Sequence, residues 1–144
     1  MKYGKMGNCN RCTFLLLLFV LGCASKAIPE SVLVSAQNKY AQVESLIAVK
    51  DYTTAIPLLD ELITGGGLNP DFAVNCFLMR SKCYLEQGNL AEALKDIEMV
   101  ASGAGDMSVV HGLRYIYWTK MGDPAKAQTE LRLAQQMNPQ FKLP

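Results

Sequence analysis

The sequence predicts an all-α chain, an α-α superhelix of three helix pairs, from two local patterns. Apolar residues recur at steps of three and four, as on one face of an amphipathic helix, at Leu33, Ala36, Tyr40, Val43 and Ile47. Turn-forming stretches rich in glycine then divide the chain at residues 65–67, 88–89, 103–105 and 122–123. Because almost no β-branched alternation lies between these stretches, the divisions predict six helices in pairs.

The pairs repeat one pattern in three segments, residues 51–64, 89–102 and 123–136. Each segment opens with a residue suited to cap a helix N-terminus, at Asp51, Asn89 and Asp123. An alanine comes four residues later, at Ala55, Ala93 and Ala127, and a large aliphatic residue four residues after that, at Leu59, Ile97 and Leu131. The alanines are 38 and 34 residues apart, a period typical of stacked helical hairpins.

These segments resemble the tetratricopeptide repeat (TPR) family over residues 32–139, as three TPR-like hairpins. The second repeat matches the family's packing positions with Phe77, Ser81, Tyr84, Gly88, Ala93, Ile97 and Val100, and the third with Trp118, Gly122, Ala127, Leu131, Ala134 and Pro139. The chain departs from the family at Lys50, where the first turn has no glycine, and at Tyr115, where a small residue is usual. The resemblance implies a short TPR solenoid, followed by a C-terminal tail at residues 140–144.

The resemblance also implies that the first helices of the pairs line a concave groove for an extended peptide or a partner's helix. The family's groove positions correspond here to Tyr40, Glu44, Ile47, Asn75, Leu78, Lys82, Leu85, Gly112, Ile116 and Lys120. Apolar side chains with a few charges suit a peptide with hydrophobic anchors. Tyr40 and Glu44 replace the Lys and Asn with which chaperone-binding members clamp a terminal carboxylate, so we do not expect that ligand. Alternatively, these side chains pack against neighbouring helices.

The first 22 residues follow the order of a secretory signal peptide. A segment with three basic residues precedes an apolar run at residues 14–21, and these eight residues are too few to span a bilayer, which needs about 20. The ending Val-Leu-Gly-Cys resembles a bacterial lipobox, which implies cleavage before Cys23, acylation of Cys23 and a tether at residues 23–31. Ala24 after the cysteine implies the outer membrane by the same resemblance. The alternatives are an uncleaved anchor and a buried strand.

Cleavage would change both the charge and the cysteine content of the chain. It would remove three of the 14 basic residues and none of the 13 acidic ones, which leaves a formal charge of −2 and no electrostatic reason to expect nucleic acid. It would also remove Cys9 and Cys12, a CxxC pair that otherwise indicates redox or metal chemistry. Cys76 and Cys83 on one helix would be about 10 Å apart, beyond the ~7 Å limit for a disulfide, so we expect small buried hydrophobes.

The sequence predicts no enzyme, no cofactor and no metal site. The single histidine, His111, occupies a packing position of the repeat, which favours a structural role. The glycines at 65–67 lack the Lys-Ser/Thr continuation of a phosphate-binding loop. Asp60, Glu61 and Glu86 have the pattern of carboxylates on a solvated face.

The last predicted helix, residues 124–137, is polar enough to cap the array in part. We expect its remaining apolar surface, Leu133 and Met137 with Phe141, to meet a partner or a second copy of the chain. Together the patterns predict an outer-membrane lipoprotein, facing the periplasm, that scaffolds another envelope protein, with the inner membrane as the less expected location. The alternatives are a periplasmic substrate or secretion chaperone and an accessory subunit of an enzyme, and the fold does not choose among them.

Overall fold

The computed structural model describes residues 29–65, 69–101 and 103–144, and in these ranges it contains six helices and no strand. The helices are α1 (Glu30–Ala48), α2 (Tyr52–Thr64), α3 (Pro70–Gln87), α4 (Leu90–Ala101), α5 (Met107–Lys120) and α6 (Pro124–Met137). Each helix packs against the next along the chain, and α3 also contacts α5. The predicted α-α superhelix is therefore confirmed. The proposed signal peptide, with Cys9, Cys12 and Cys23, lies outside the described residues.

The helix starts are capped mainly by aspartate and asparagine side chains. Asp51 accepts a hydrogen bond from the Thr54 backbone N–H at 3.1 Å, and Asp123 accepts one from Lys126 at 3.0 Å. Asn69 and Asp106 cap α3 and α5 in the same way. Each cap satisfies a backbone donor that has no partner inside its helix, and so fixes where the helix begins. The Asn89 side chain, predicted as a third cap, instead donates to Gln87 at 3.2 Å.

The turn inside each helix pair has the same geometry, whether or not it contains glycine. Gly88 and Gly122 adopt left-handed φ angles of 79° and 75°, and Lys50 adopts 63° at the corresponding position. In the first turn the Lys50 N–H donates to Ile47 O and the Asp51 N–H to Leu46 O, and the two glycine turns repeat this pattern. These bonds satisfy carbonyls left free at a helix end. Lys50 has a Cβ atom, so the left-handed conformation is sterically strained at this position, whereas glycine adopts it freely.

The core divides into two clusters, and α3 contributes to both. The N-terminal cluster consists of Val43, Ala55, Leu59, Leu62, Cys76 and Cys83. The C-terminal cluster consists of Leu85, Ala93, Ile97, Val100, Val110, Leu113 and Tyr117. The repeated alanines at 55, 93 and 127 are all buried, which lets the paired helices approach closely. Cys76 and Cys83 are free and fully buried, as predicted.

In α5 the buried residues occupy a register different from that of α3. Leu113 and Tyr117 are buried, whereas Tyr115 is only half-buried. The large Tyr115 can therefore stand where the family has a small residue, because α5 turns Leu113 and Tyr117 toward the core instead. In the described part of the chain, no helix combines the length and the apolar character needed to cross a membrane.

Candidate functional site

An open cavity of about 280 Å³ lies between α3 and α5. Its lining residues are Tyr40, Asn75, Leu78, Met79, Lys82, Val109, Leu113 and Pro144. Four of the predicted groove residues, at positions 40, 75, 78 and 82, therefore meet at one place. They come from the first helices of two successive pairs, which is the face that the repeat pattern indicates.

A second open cavity, of about 210 Å³, adjoins the first. Its lining residues are Asp71, Val74, Asn75, Leu78, Ala104, Gly105, Asp106 and Val109. The two cavities share Asn75, Leu78 and Val109 in their walls, and we call them together the α3–α5 groove. The groove has apolar walls with an amide and an ammonium group among them. Such a surface can hold an extended chain by packing its side chains and bonding its backbone.

Tyr40 forms the α1 side of the groove and is fixed by an aromatic contact with α3. Its ring centroid lies 4.9 Å from that of Phe72, with the two planes tilted by 47°. Burial raises the pKa of Tyr40, and the neighbouring Glu44 and Cys76 raise it further. The hydroxyl therefore stays neutral around pH 7, where it can donate or accept a hydrogen bond.

On another side of α3, Arg80 joins three helices in a network that the sequence patterns did not reveal. Its guanidinium donates to both carboxylate oxygens of Asp96 on α4, at 2.8 Å and 2.7 Å, and also to Asp60 on α2. The same group lies over the rings of Phe77 and Tyr84, at 5.3 Å and 5.8 Å from their centroids. These contacts fix the rotation of α3, and so hold Asn75, Leu78 and Lys82 toward the groove.

The groups around Arg80 favour its protonated, charged form. The Arg80 side chain is 17% exposed and that of Asp96 is 3% exposed, so the ion pair is largely removed from water. The hydrogen bonds that Arg80 donates to Asp96 raise the pKa of Arg80 above its usual range, although burial acts in the opposite direction. Asp60, expected on a solvated face, is 46% exposed and is bound to Arg80. The sequence did carry a signal for this network: Phe77 lies three residues before Arg80 and Tyr84 four residues after it, so the three share one face of the helix.

The remaining predicted groove residues lie elsewhere, and Leu85 is a correction. Leu85 is 0% exposed because α4 and α5 close over it in the C-terminal cluster, so it cannot contact a partner. Ile47 and Ile116 are half-buried against the two clusters. Glu44 and Lys120 are exposed, and the Lys120 ammonium lies 4.0 Å from Glu86. Neither these five residues nor the buried Gly112, the sixth remaining position, lines the α3–α5 groove.

Residues 138–144, here called the return segment, fold back from α6 toward the groove. The Phe141 ring packs against Gly112 on α5, and Pro144 lines the cavity beside Tyr40 and Lys82. The expectation that Phe141 joins Leu133 and Met137 on an outer surface is therefore wrong for Phe141. Met137 itself is 55% exposed.

The thiols of Cys76 and Cys83 and the imidazole of His111, the side chains most suited to chemistry, are buried among the packed helices. Burial raises the pKa of the Cys76 and Cys83 thiols to about 11, which keeps both protonated at neutral pH. The His111 Nδ1 lies 2.6 Å from a carboxylate oxygen of Glu130, and this contact joins α5 to α6. Within residues 29–65, 69–101 and 103–144, no group of three or more His, Cys, Asp or Glu residues is arranged to hold a metal ion.

Comparison with known proteins gives one informative similarity. No family model matches the chain, and no solved structure matches it significantly. DnaJ homolog subfamily C member 3 from Gallus gallus is 28% identical over 97 residues, which cover 67% of this chain but only 18% of that protein. That protein contains tetratricopeptide repeats, and its similarity together with the six-helix fold is compatible with a TPR protein.

Proposed function

We propose that this protein is an interaction scaffold that holds an extended segment of a protein partner in the α3–α5 groove. The observation that carries the proposal is the meeting of Tyr40, Asn75, Leu78 and Lys82 around one open depression. Leu78 and its neighbours offer apolar area for the partner's side chains. The Asn75 amide offers a donor and an acceptor for its backbone, and the Lys82 ammonium offers three donors.

Two further observations support binding rather than chemistry. The similarity to a TPR-containing DnaJ homologue suggests a protein-interaction role. The buried thiols have raised pKa values, which disfavours the thiolate that a nucleophile needs. We therefore propose that the protein has no catalytic activity of its own.

The proposed setting is the bacterial envelope, with Cys23 acylated and the helices facing the periplasm from the outer membrane. Support comes from the order of basic, apolar and small residues before Cys23. The test is the intact mass and membrane fractionation of the wild type and of Cys23→Ser. Acyl mass on a chain that begins at Cys23, and its loss in the variant, are the expected results. An uncleaved chain would remove this part of the proposal.

Site-specific photocrosslinking tests the groove. A photoreactive residue at the exposed position 75 should capture a partner, whereas the same residue at position 95 on α4, also exposed, should not. A Leu78→Glu substitution should abolish the crosslink from position 75, because it places a carboxylate on the apolar wall. Equal capture from positions 75 and 95, or capture unaffected by Leu78→Glu, would contradict the proposed groove.

The identity of the captured chains distinguishes a scaffold from a chaperone. A scaffold should give one partner, crosslinked through one segment and recovered as a stable complex. A periplasmic substrate or secretion chaperone, the alternative proposal, should give many unrelated chains bound weakly. An accessory subunit should instead change the rate of an enzyme captured with it.

A further inference from the structure

A tight turn directs the return segment away from the axis of α6. The Asn138 side chain accepts a hydrogen bond from the Gln140 N–H at 3.0 Å, and its carbonyl accepts one from the Phe141 N–H at 2.9 Å. Asparagine commonly forms such turns through its own backbone neighbours. The turn brings Phe141 back to α5.

Phe141 fits against α5 because residue 112 has no side chain. A Cβ atom at Gly112 would lie 2.3 Å from the Phe141 Cζ, closer than real Cβ contacts come, and 3.2 Å from Cε1 and Cε2. The edge of the ring therefore points into the space that any other residue would fill. Gly112 itself is buried. We call this place on α5 the Gly112 seat.

From Phe141 the chain continues to Pro144 without regular secondary structure. Three extended residues span about 10 Å, and over that stretch Pro144 reaches the cavity that Tyr40, Asn75 and Lys82 line. The return segment thus places its aromatic residue on Gly112 and its last residue, Pro144, at the groove.

Few hydrogen bonds and few buried contacts hold the return segment in place. The backbone hydrogen bonds that the structure gives to residues 139–144 both lead to Asn138. Gln140, Lys142, Leu143 and Pro144 are exposed, so Phe141 supplies most of the buried contact. Segments with few buried contacts and few hydrogen bonds open at low free-energy cost.

We propose that the Gly112 seat binds an aromatic side chain of an extended partner peptide, and that Phe141 occupies the seat in the free protein in place of that residue. This inference rests on the proposed function and names the class of ligand, a segment with an aromatic residue followed within three positions by apolar residues. Because Phe141 is tethered nearby, it competes at an effective concentration that is on the order of millimolar. A partner must displace it.

The test uses a labelled peptide with the sequence of residues 138–144, NPQFKLP, titrated into the protein and followed by amide NMR signals. A variant lacking residues 138–144 should bind the peptide about tenfold more tightly than the wild type does. Adding Gly112→Ala to that variant should reverse the gain, because the new Cβ fills the seat. A peptide with serine in place of its phenylalanine should not bind the truncated variant.

Phe141→Ser in the full chain provides a second route that leaves the chain length unchanged. It should empty the seat and allow the NPQFKLP peptide to bind, whereas the matched control Met99→Ser, at an exposed position on α4, should behave as the wild type. If neither the truncated variant nor Phe141→Ser binds the peptide better than the wild type, the proposal is wrong. A wild-type dimer that becomes monomeric with Phe141→Ser would also overturn it, by assigning the segment to a second copy.

The outcomes separate this inference from the proposed function. Partner capture from position 75 that is indifferent to Phe141→Ser would leave the groove intact as a binding site and refute occupation of the Gly112 seat. Conversely, peptide binding to the truncated variant with no partner captured from position 75 would support the seat and contradict the scaffold.

Discussion

Arg80 and Lys82 lie two residues apart on α3, yet their surroundings differ greatly. Arg80 points toward α2 and α4, which supply two carboxylates, and two aromatic rings of α3 flank it. Lys82 points toward α5 and lines an open cavity. The difference indicates that one side of α3 holds successive helix pairs together while the other side remains available to a ligand. Substitutions on the two sides should therefore affect different properties, the first stability and the second binding.

The largest effect should follow removal of Arg80. Arg80→Ala leaves Asp96 buried without its partner, and breaking a buried ion pair costs about 3 to 5 kcal/mol in the free energy of unfolding. Lys82→Ala, the matched control on the same helix, should change it by less than about 0.5 kcal/mol. Urea denaturation followed by circular dichroism measures both values. Similar losses for the two variants would remove the distinction between the sides of α3.

The two carboxylates around Arg80 should differ because one is buried and the other is not. Asp96→Ala should cost about 2 kcal/mol, since a charged hydrogen-bond partner is lost from a site that is 3% exposed. Asp60→Ala should cost about 0.5 kcal/mol, because that side chain is 46% exposed and water screens its charge. The same denaturation experiment tests this order. A larger loss at Asp60 would show that α2, rather than α4, supports the network.

The buried thiols of Cys76 and Cys83 on α3 should make the free energy of unfolding depend on pH. Cys76 and Cys83 have pKa values of about 11 in the folded protein, above the ordinary thiol value, so the folded state retains protons that the unfolded state has lost. The free energy of unfolding should therefore fall as the pH rises from about 9 to 11. Replacing both cysteines with alanine should remove this component. A slope that persists in the double variant would assign it to other groups.

Thiol reactivity tests the same burial independently of stability. Ellman's reagent should label Cys76 and Cys83 slowly at pH 8 in the folded protein and at once in denaturant, because both side chains are buried and protonated. Fast labelling under native conditions would mean that the N-terminal cluster opens readily.

The smallest change in the free energy of unfolding should come from substitution of Lys50 in the first turn. This residue lies away from both sides of α3. Lys50→Gly relieves a left-handed residue with a φ of 63° but also makes the unfolded chain more flexible, so we expect a net gain of about 0.5 kcal/mol. Gly88→Lys, at the equivalent turn, should instead lose about 1 kcal/mol. Thermal unfolding compares the two. A loss at Lys50→Gly would show that its side chain contributes more than the backbone strain costs.

The success of the sequence patterns depended on how local each feature is. Asn75, Leu78 and Lys82 meet at one cavity because steps of three and four place them on one face of α3. Ile47 and Ile116 do not line the groove, because their side chains pack against the N-terminal and C-terminal clusters. Leu85 failed for a different reason: its spacing along α3 fits the groove pattern, but α4 and α5 cover that end of the helix.

The sequence by itself determined the six helices, the three turns, the caps at Asp51 and Asp123 and the buried alanines, because these follow from spacings of a few residues and from the conformational limits of single residues. Only the tertiary structure decided that Arg80 bridges Asp60 and Asp96, and that Phe141 rests on Gly112. Each of these contacts joins residues 16 to 29 positions apart. No periodic pattern along the chain specifies such pairs, because they depend on how the helices are rotated and stacked against one another.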